Sequence, residues 1–285
     1  MQALYDVPAP AKLNLFLHIT GRRADGYHLL QSAFMLIDWC DTLHFELRPD
    51  GHISREDLNT PLPQDDLIVR AAKALQRATG CPLGAHIGIH KSIPAQAGMG
   101  GGSSDAASTL LALNQLWQLH LDRASLSRIG LQLGADVPFF LCGHGAAWVE
   151  GIGEHITPLT GAQALPAAQF AVVKPAAGLE TPAIFASALL QRDTAPVSIE
   201  QFCTAPYQFG RNDLQPVAEQ LCPDVKKVVD WLEEQQLHAI MTGSGSAVFA
   251  RLSHTQPLAS HPSAWQSKKC ENLMTHPVGS WVSGI

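Results

Sequence analysis

The chain has 285 residues, 46% apolar and 15% charged, which supplies a packed core and excludes a disordered chain. Nineteen basic residues against 25 acidic ones give a net charge of −6. That excludes the diffuse positive field of a general nucleic-acid binder, so an anionic ligand needs a local device.

Residues 9–20 alternate in the manner of a strand, with Leu13, Leu15 and Leu17 on one face and Lys12, Asn14 and Phe16 on the other. Gly21 to Gly26 is turn chemistry. Residues 29–39 and 42–48 read as two further strands around Asp41. Asp65 or Asp66 caps a helix through IVRAAKALQRA, which Gly80 ends. Residues 85–92 alternate again. The loop PAQAGMGGG then opens a helix, SSDAASTLLALNQLWQL, with Leu110, Leu113 and Trp117 as its buried stripe. ASLSRIGLQL forms the next helix, ending at Gly134.

Beyond Gly151 strands are expected at AAWVEG, which spans this point, and at QFAVVKP, and a helix near 224–236. HAIMTGSGSAVFARL places two apolar runs around a second glycine turn, and the last 30 residues show weak periodicity. The predicted class is α+β, with helices on one side of the sheets. A soft boundary near residue 155 divides residues 1–155 from 156–285.

No apolar run reaches the roughly 18–20 residues of a membrane helix. The start, Met-Gln-Ala-Leu-Tyr-Asp, is not that of a secretory signal. A cytoplasmic protein with no membrane or nucleic-acid partner is expected, as monomer or homodimer. Cys40, Cys81, Cys142, Cys203, Cys222 and Cys270 contain no C-x-x-C pair and read as free thiols, with no structural metal expected.

Gly98-Met99-Gly100-Gly101-Gly102-Ser103-Ser104-Asp105 is the most informative stretch. Its glycines let a ligand approach the backbone amides, and a helix starts at once. The first amides of that helix lack internal partners and favour a phosphate. Ser103 stands where a P-loop has Lys and where a dinucleotide fingerprint from Gly98 has Gly or Ala. A fingerprint from Gly100 meets Asp105. This is therefore a third kind of phosphate loop, in which Ser103 or Ser104 can also cap the helix.

Three segments, PAKLNLFLHITGRRADGYH at 10–28, PAQAGMGGGSSDAA at 94–107 and MTGSGSAVFA at 241–250, in this order and spacing, resemble the GHMP small-molecule kinases. Arg-x-Asp-Gly-Tyr-His and GADVPFF at 134–140 resemble the branch that phosphorylates the C2 hydroxyl of a methylerythritol carrying a cytidine diphosphate. The resemblance implies an N-terminal α+β domain, a C-terminal ferredoxin-like domain and a cleft between them. It implies ATP over Pro94, Ala95, Gln96, Ala97, Gly98, Met99, Gly100, Gly101, Gly102, Ser103 and Ser104, with Lys91 nearby. Where the family often has Asn-Leu-Ile beside the adenine, this chain has Asp66-Leu67-Ile68.

Lys12 and Asp136 are the catalytic candidates that the family pattern implies. A lysine keeps a neighbouring carboxylate ionised and stabilises an alkoxide forming between them. Asp136 before Val137-Pro138 also fits a helix cap, and Lys12 alone fits an exposed strand face. Asn14 shares the face of Lys12. Tyr27 suits stacking on a pyrimidine, and His28 offers a donor and an acceptor to the base edge. Thr181 and Phe185 close the substrate pocket from the second half; Phe185 equally fits plain core. Gly243-Ser244-Gly245 meets the substrate or forms a tight turn. Mg²⁺ is expected because ATP is used with it; Ser104 or Asp105 reaches the ion only if the loop turns them towards it. The competing readings are a GHMP kinase for a mevalonate, homoserine or sugar, which has no base to stack, and a nucleotide-binding regulator without catalysis. The presence of both Lys12 and Asp136 speaks against the latter.

Overall fold

The computed structural model describes residues 2–253 and 256–282. The first half builds one sheet from β1 (Ala3–Arg22), β2 (His28–Arg48), β3 (Ile53–Asp57), β4 (Gly84–His90), β5 (Ala146–Gly151) and β6 (His155–Pro158). Its helices are α1 (Leu67–Thr79), α2 (Gly101–Leu116), α3 (Arg123–Leu131) and α4 (Val137–Leu141). β2 carries β1 along one edge, and β4 and β5 end to end along the other, all antiparallel. β3 joins β4 in parallel.

The second half contains β7 (Gln169–Lys174), α5 (Thr181–Ala186), α6 (Ile199–Cys203), α7 (Gln215–Leu221), α8 (Pro223–Glu233), β8 (Ala239–Met241), β9 (Val248–Leu252) and β10 (Gln266–Glu271). Its antiparallel sheet runs β10-β7-β9-β8. Counted within this sheet the order is fourth-first-third-second, the ferredoxin-like order that the resemblance implies. The β7–β8 crossover carries helices, whereas the described residues between β9 and β10 carry none.

Three apolar layers follow from the alternation of the strands. Phe34, Leu36, Leu43 and Phe45 face α1 and α2. Leu13, Met35, Ile37 and Trp148 face Phe170, Val172 and Phe249, so the two sheets pack on each other. Ala171, Val173 and Val248 face α8 through Val225, Val228 and Leu232. The order is helices, sheet, sheet, helices, with the short α6 packing Phe202 into the layer between the sheets.

Three expectations change. β2 is one strand rather than two, because Asp41 is buried inside it with its carboxylate satisfied. A register shift opposite Pro10 and Ala11 lies beside it. A second shift, between Asn14 and Leu17, breaks the alternation of β1. It puts Leu17 in the cleft lining beside Lys12 and Asn14, and Phe16 in the layer that holds Leu13 and Leu15. Finally, α2 has no single stripe: Ala106, Ala107, Leu111 and Ala112 are buried as fully as Leu110 and Leu113. The helix sits inside the molecule, so periodicity carries little signal. Among the described residues no helix is long and apolar enough to cross a membrane.

Candidate active site

A cleft of about 950 Å³ runs between the two halves. Its floor is the glycine loop. Gly98 and Gly100 both take φ +70°, the left-handed region that suits glycine. A Cβ on Gly98 would lie 2.1 Å from the Thr242 carbonyl oxygen, so the loop packs directly on the second glycine turn. The Ser246 amide donates to the Gln96 carbonyl at 3.0 Å and the Ala247 amide to that of Ala97 at 3.2 Å. The cap of α2 is Gly100 itself; no side chain bonds there, so neither Ser103 nor Ser104 serves as the cap. The Ser104 amide is the first to close a helical bond, to Gly100 at 2.9 Å. The amides of Gly101, Gly102 and Ser103 are left for a ligand, at the positive end of the helix dipole.

Lys12 lies against this terminus. A Cβ on Gly100 would stand 3.3 Å from its Cε, and its amide donates to the Met99 carbonyl at 3.0 Å. The lysine is 4% exposed, which rules out a solvated strand face. Its ammonium donates to Asn14 Oδ1, lies 4.4 Å from the Phe34 ring centre and is 3.6 Å from Asp136 Oδ2. Burial pushes the lysine pKa down, while the Asp136 carboxylate opposes that shift. Asn14 is fixed in turn: its amide nitrogen Nδ2 donates to Ser32 Oγ at 2.9 Å, and its backbone N–H donates to Thr242 Oγ1 at 2.9 Å. Asp136 precedes α4 but accepts no capping bond, and its side chain is 31% exposed to the cleft. The cap reading therefore fails.

Lys91 reaches the same cleft with its charge already committed. Its ammonium donates to Asp41 Oδ2 and, at 2.6 Å, to Asp105 Oδ2. Asp41 Oδ1 also accepts the Ser92 amide and, at 2.8 Å, the Ile93 amide. This bridge ties the segment before the glycine loop to α2 at Asp105. The helix turns Ser104 and Asp105 into the interior, where Ser104 Oγ and Asp105 Oδ1 have no hydrogen-bond partner. Burial, opposed by Lys91 and reinforced by Asp41, pushes the Asp105 carboxyl up to about 7. An acid whose pKa is higher folded than unfolded contributes stability below its unfolded value and loses it as pH rises through its folded value. The stability of wild type relative to Asp105→Asn should therefore fall between about pH 4 and pH 7. Denaturant melts of both proteins across that window check this; a difference that stays flat or grows would disprove it.

Asp66 caps α1 by accepting the Val69 amide at 3.0 Å, and pairs with Arg55 Nη1 at 2.8 Å. It also lines the cleft, beside Leu67 and Ile68. On the opposite wall Thr181 Oγ1 and Ser244 Oγ share a hydrogen bond of 2.6 Å, and Gly243 and Gly245 complete the lining. Phe185 lines the cleft with its ring 5.0 Å from that of His28. His28 is half-buried, whereas Tyr27 is 60% exposed in the turn between β1 and β2. Neither is itself part of the cleft lining.

The sequence reading missed Ser32, Thr242 and Asn212. Asn212 Nδ2 donates to the carbonyls of Met241 and Gly243 at 2.6 and 2.7 Å and so sets the second glycine turn. The Arg-Asn-Asp run at 211–213, polar and next to a glycine, was the available signal.

A buried lysine beside a carboxylate, facing a helix terminus able to hold phosphate, is an arrangement suited to phosphoryl transfer to a hydroxyl. Known proteins agree. Residues 66–144 match the GHMP kinases N terminal domain and residues 190–270 the GHMP kinases C terminal domain. The 4-diphosphocytidyl-2-C-methyl-D-erythritol kinase of Delftia acidovorans is 68% identical over 99% of this chain and 98% of its own. The protein of the same name from Acidovorax sp. is 64% identical over 100% of both chains. A crystal structure of 4-(cytidine 5′-diphospho)-2C-methyl-D-erythritol kinase superposes with a TM-score of 0.74 at 31% identity, covering 93% of this chain and 98% of that one. A homoserine kinase from Cytophaga hutchinsonii shares the fold, with a TM-score of 0.69 at 14% identity over 97% of this chain and 96% of its own. The chain belongs to the GHMP kinases.

Proposed function

We infer that this chain is an ATP-dependent kinase that phosphorylates the C2 hydroxyl of 4-diphosphocytidyl-2-C-methyl-D-erythritol, giving ADP and the 2-phosphate, a step of non-mevalonate isoprenoid synthesis. The observation that carries this reading is the placement of the Lys12–Asp136 pair against the open terminus of α2. ATP lies over residues 94–104, with its phosphates on the amides of Gly101, Gly102 and Ser103 and its adenine towards Asp66. Lys91 serves the nucleotide by holding the loop.

The substrate hydroxyl sits on Asp136. Its oxygen attacks the γ-phosphorus, the bond from that phosphorus to the β–γ bridging oxygen breaks, and Asp136 receives or orients the proton. Lys12, held by Asn14, faces the charge that develops between attacking oxygen and phosphate. Thr181 and Phe185 close the pocket from the second half. His28 and Phe185 form a wall for the base, and the exposed ring of Tyr27 is free to cover it.

Among the described residues no group of three or more His, Cys, Asp or Glu is arranged to hold a metal ion. Mg²⁺ bound with ATP would offset phosphate charge there. With its ATP supply, the enzyme is placed in the cytoplasm, and residues 1–155 and 156–285 serve as its two domains. Incubation with ATP, Mg²⁺ and the cytidyl alcohol should give equal amounts of ADP and the 2-phosphate. ADP without phosphorylated product, or equal turnover of an alcohol lacking the base, would move the chain to another activity.

A further inference from the structure

Arg192, between α5 and α6, makes four side-chain hydrogen bonds. Nη1 donates to the Leu190 carbonyl at 2.9 Å, and Nη2 donates to those of Phe185 and Ser187 at 3.1 and 2.7 Å. These bonds hold the end of α5, where the Phe185 ring packs on His28. The Nε–H donor points at His28 Nε2 from 3.0 Å. A guanidinium has donors only. His28 Nε2 must therefore present a lone pair. Partial burial and the charges of Arg192 and Arg22 push the imidazole pKa down, which favours the neutral ring at pH 7. A neutral ring with a bare Nε2 carries its proton on Nδ1.

We propose that Arg192 is a specificity-determining positioning residue: by occupying His28 Nε2 it makes Nδ1 a fixed donor, which matches the bare N3 of a cytosine edge and opposes the N3–H of a uracil edge. The argument rests on the reading above that His28 meets the base. Cytosine presents a bare N3, whereas uracil presents N3–H. An imidazole free of constraint adapts to either by moving its proton to Nε2, which leaves Nδ1 to accept from uracil. Beside Arg192 that tautomer would set two N–H groups against each other. Arg192 thus removes the ring's alternative without touching the base.

The first measurement is the ¹⁵N spectrum of His28 in ligand-free wild type at neutral pH. The neutral Nδ1–H form is expected; a proton on Nε2, or on both nitrogens, overturns the proposal. The second is kcat/KM for the cytidyl alcohol and its uridyl analogue in wild type, Arg192→Met and Arg192→Lys. Wild type should prefer the cytidyl alcohol by about tenfold or more, the usual effect of one mismatched buried hydrogen bond. Arg192→Met should shrink that preference by about tenfold, through KM, with the kcat for the cytidyl alcohol largely kept. Loosening of Phe185 would weaken both alcohols alike and leave their ratio unchanged. Arg192→Lys, which can reach Nε2 but not all three carbonyls, should retain part of the preference. If wild type discriminates and Arg192→Met discriminates equally, Arg192 is not the determinant, while the base reading stands. If wild type uses both alcohols equally, the base reading and this proposal fail together. Calorimetric ATP affinity checks the fold of each variant, and should Arg192→Met not fold, the wild-type tautomer and Arg192→Lys decide.

Discussion

Asp136→Asn should lower kcat by roughly 10²–10⁴-fold, the usual contribution of a general base, with ATP affinity close to that of wild type. The amide keeps the shape of the side chain, and no capping bond is lost because the carboxylate makes none. What disappears is the proton acceptor and the charge 3.6 Å from Lys12. That charge opposes the effect of burial on the lysine, so its removal lowers the Lys12 pKa further. The residual activity should therefore decline at a lower pH on the alkaline side than wild type does. Near-normal turnover in a folded protein would remove Asp136 from the chemistry.

Gly98→Ala should be the most damaging single methyl in the glycine loop. At φ +70° an alanine is strained, and its Cβ would lie 2.1 Å from Thr242 O and 2.8 Å from the Gly245 nitrogen. Both obstacles are backbone, so relief requires the two glycine turns to separate. Strain of about 1–2 kcal/mol and overpacking of about 1–3 kcal/mol together predict a loss of about 2–5 kcal/mol of stability, with ATP affinity falling as the loop opens. Gly102→Ala is the control: its Cβ would meet only Leu67 Cδ1, at 3.5 Å, without a left-handed φ. Denaturant midpoints and ATP titrations of both variants decide. Equal behaviour of the two would show that the contact between the turns is unimportant.

What could be read in advance follows from which forces are local. The helix at 67–79 was legible because its cap, its apolar period and its terminal glycine are all encoded within fifteen residues or so. Asp66 caps it and Gly80 ends it at φ 65°. The glycine loop was legible as a turn that leads straight into a helix because backbone freedom and a helix start are sequence properties. The role of Lys91 was not, because it depends on Asp41 and Asp105, brought together only by the fold. The faces of β1 were misread for the same reason: the shift between Asn14 and Leu17 is set by pairing with β2, which the strand's own period cannot report. β10 escaped notice because Gln-Ser-Lys-Lys-Cys-Glu has no apolar rhythm, yet it pairs with β7 along its full length. It closes one edge of its sheet, where charged side chains also discourage pairing with other chains.

The apolar layer between the two sheets has a consequence for how this molecule comes apart. Leu13, Met35 and Ile37 are covered by Phe170, Val172 and Phe249, and the two glycine turns are bonded across the same seam. A fragment ending between the sheets would leave an unshielded apolar surface and half of the glycine loop's support. Neither half should thus fold alone, and the chain should melt as one cooperative body in which the seam and the contact between the two glycine turns are lost together.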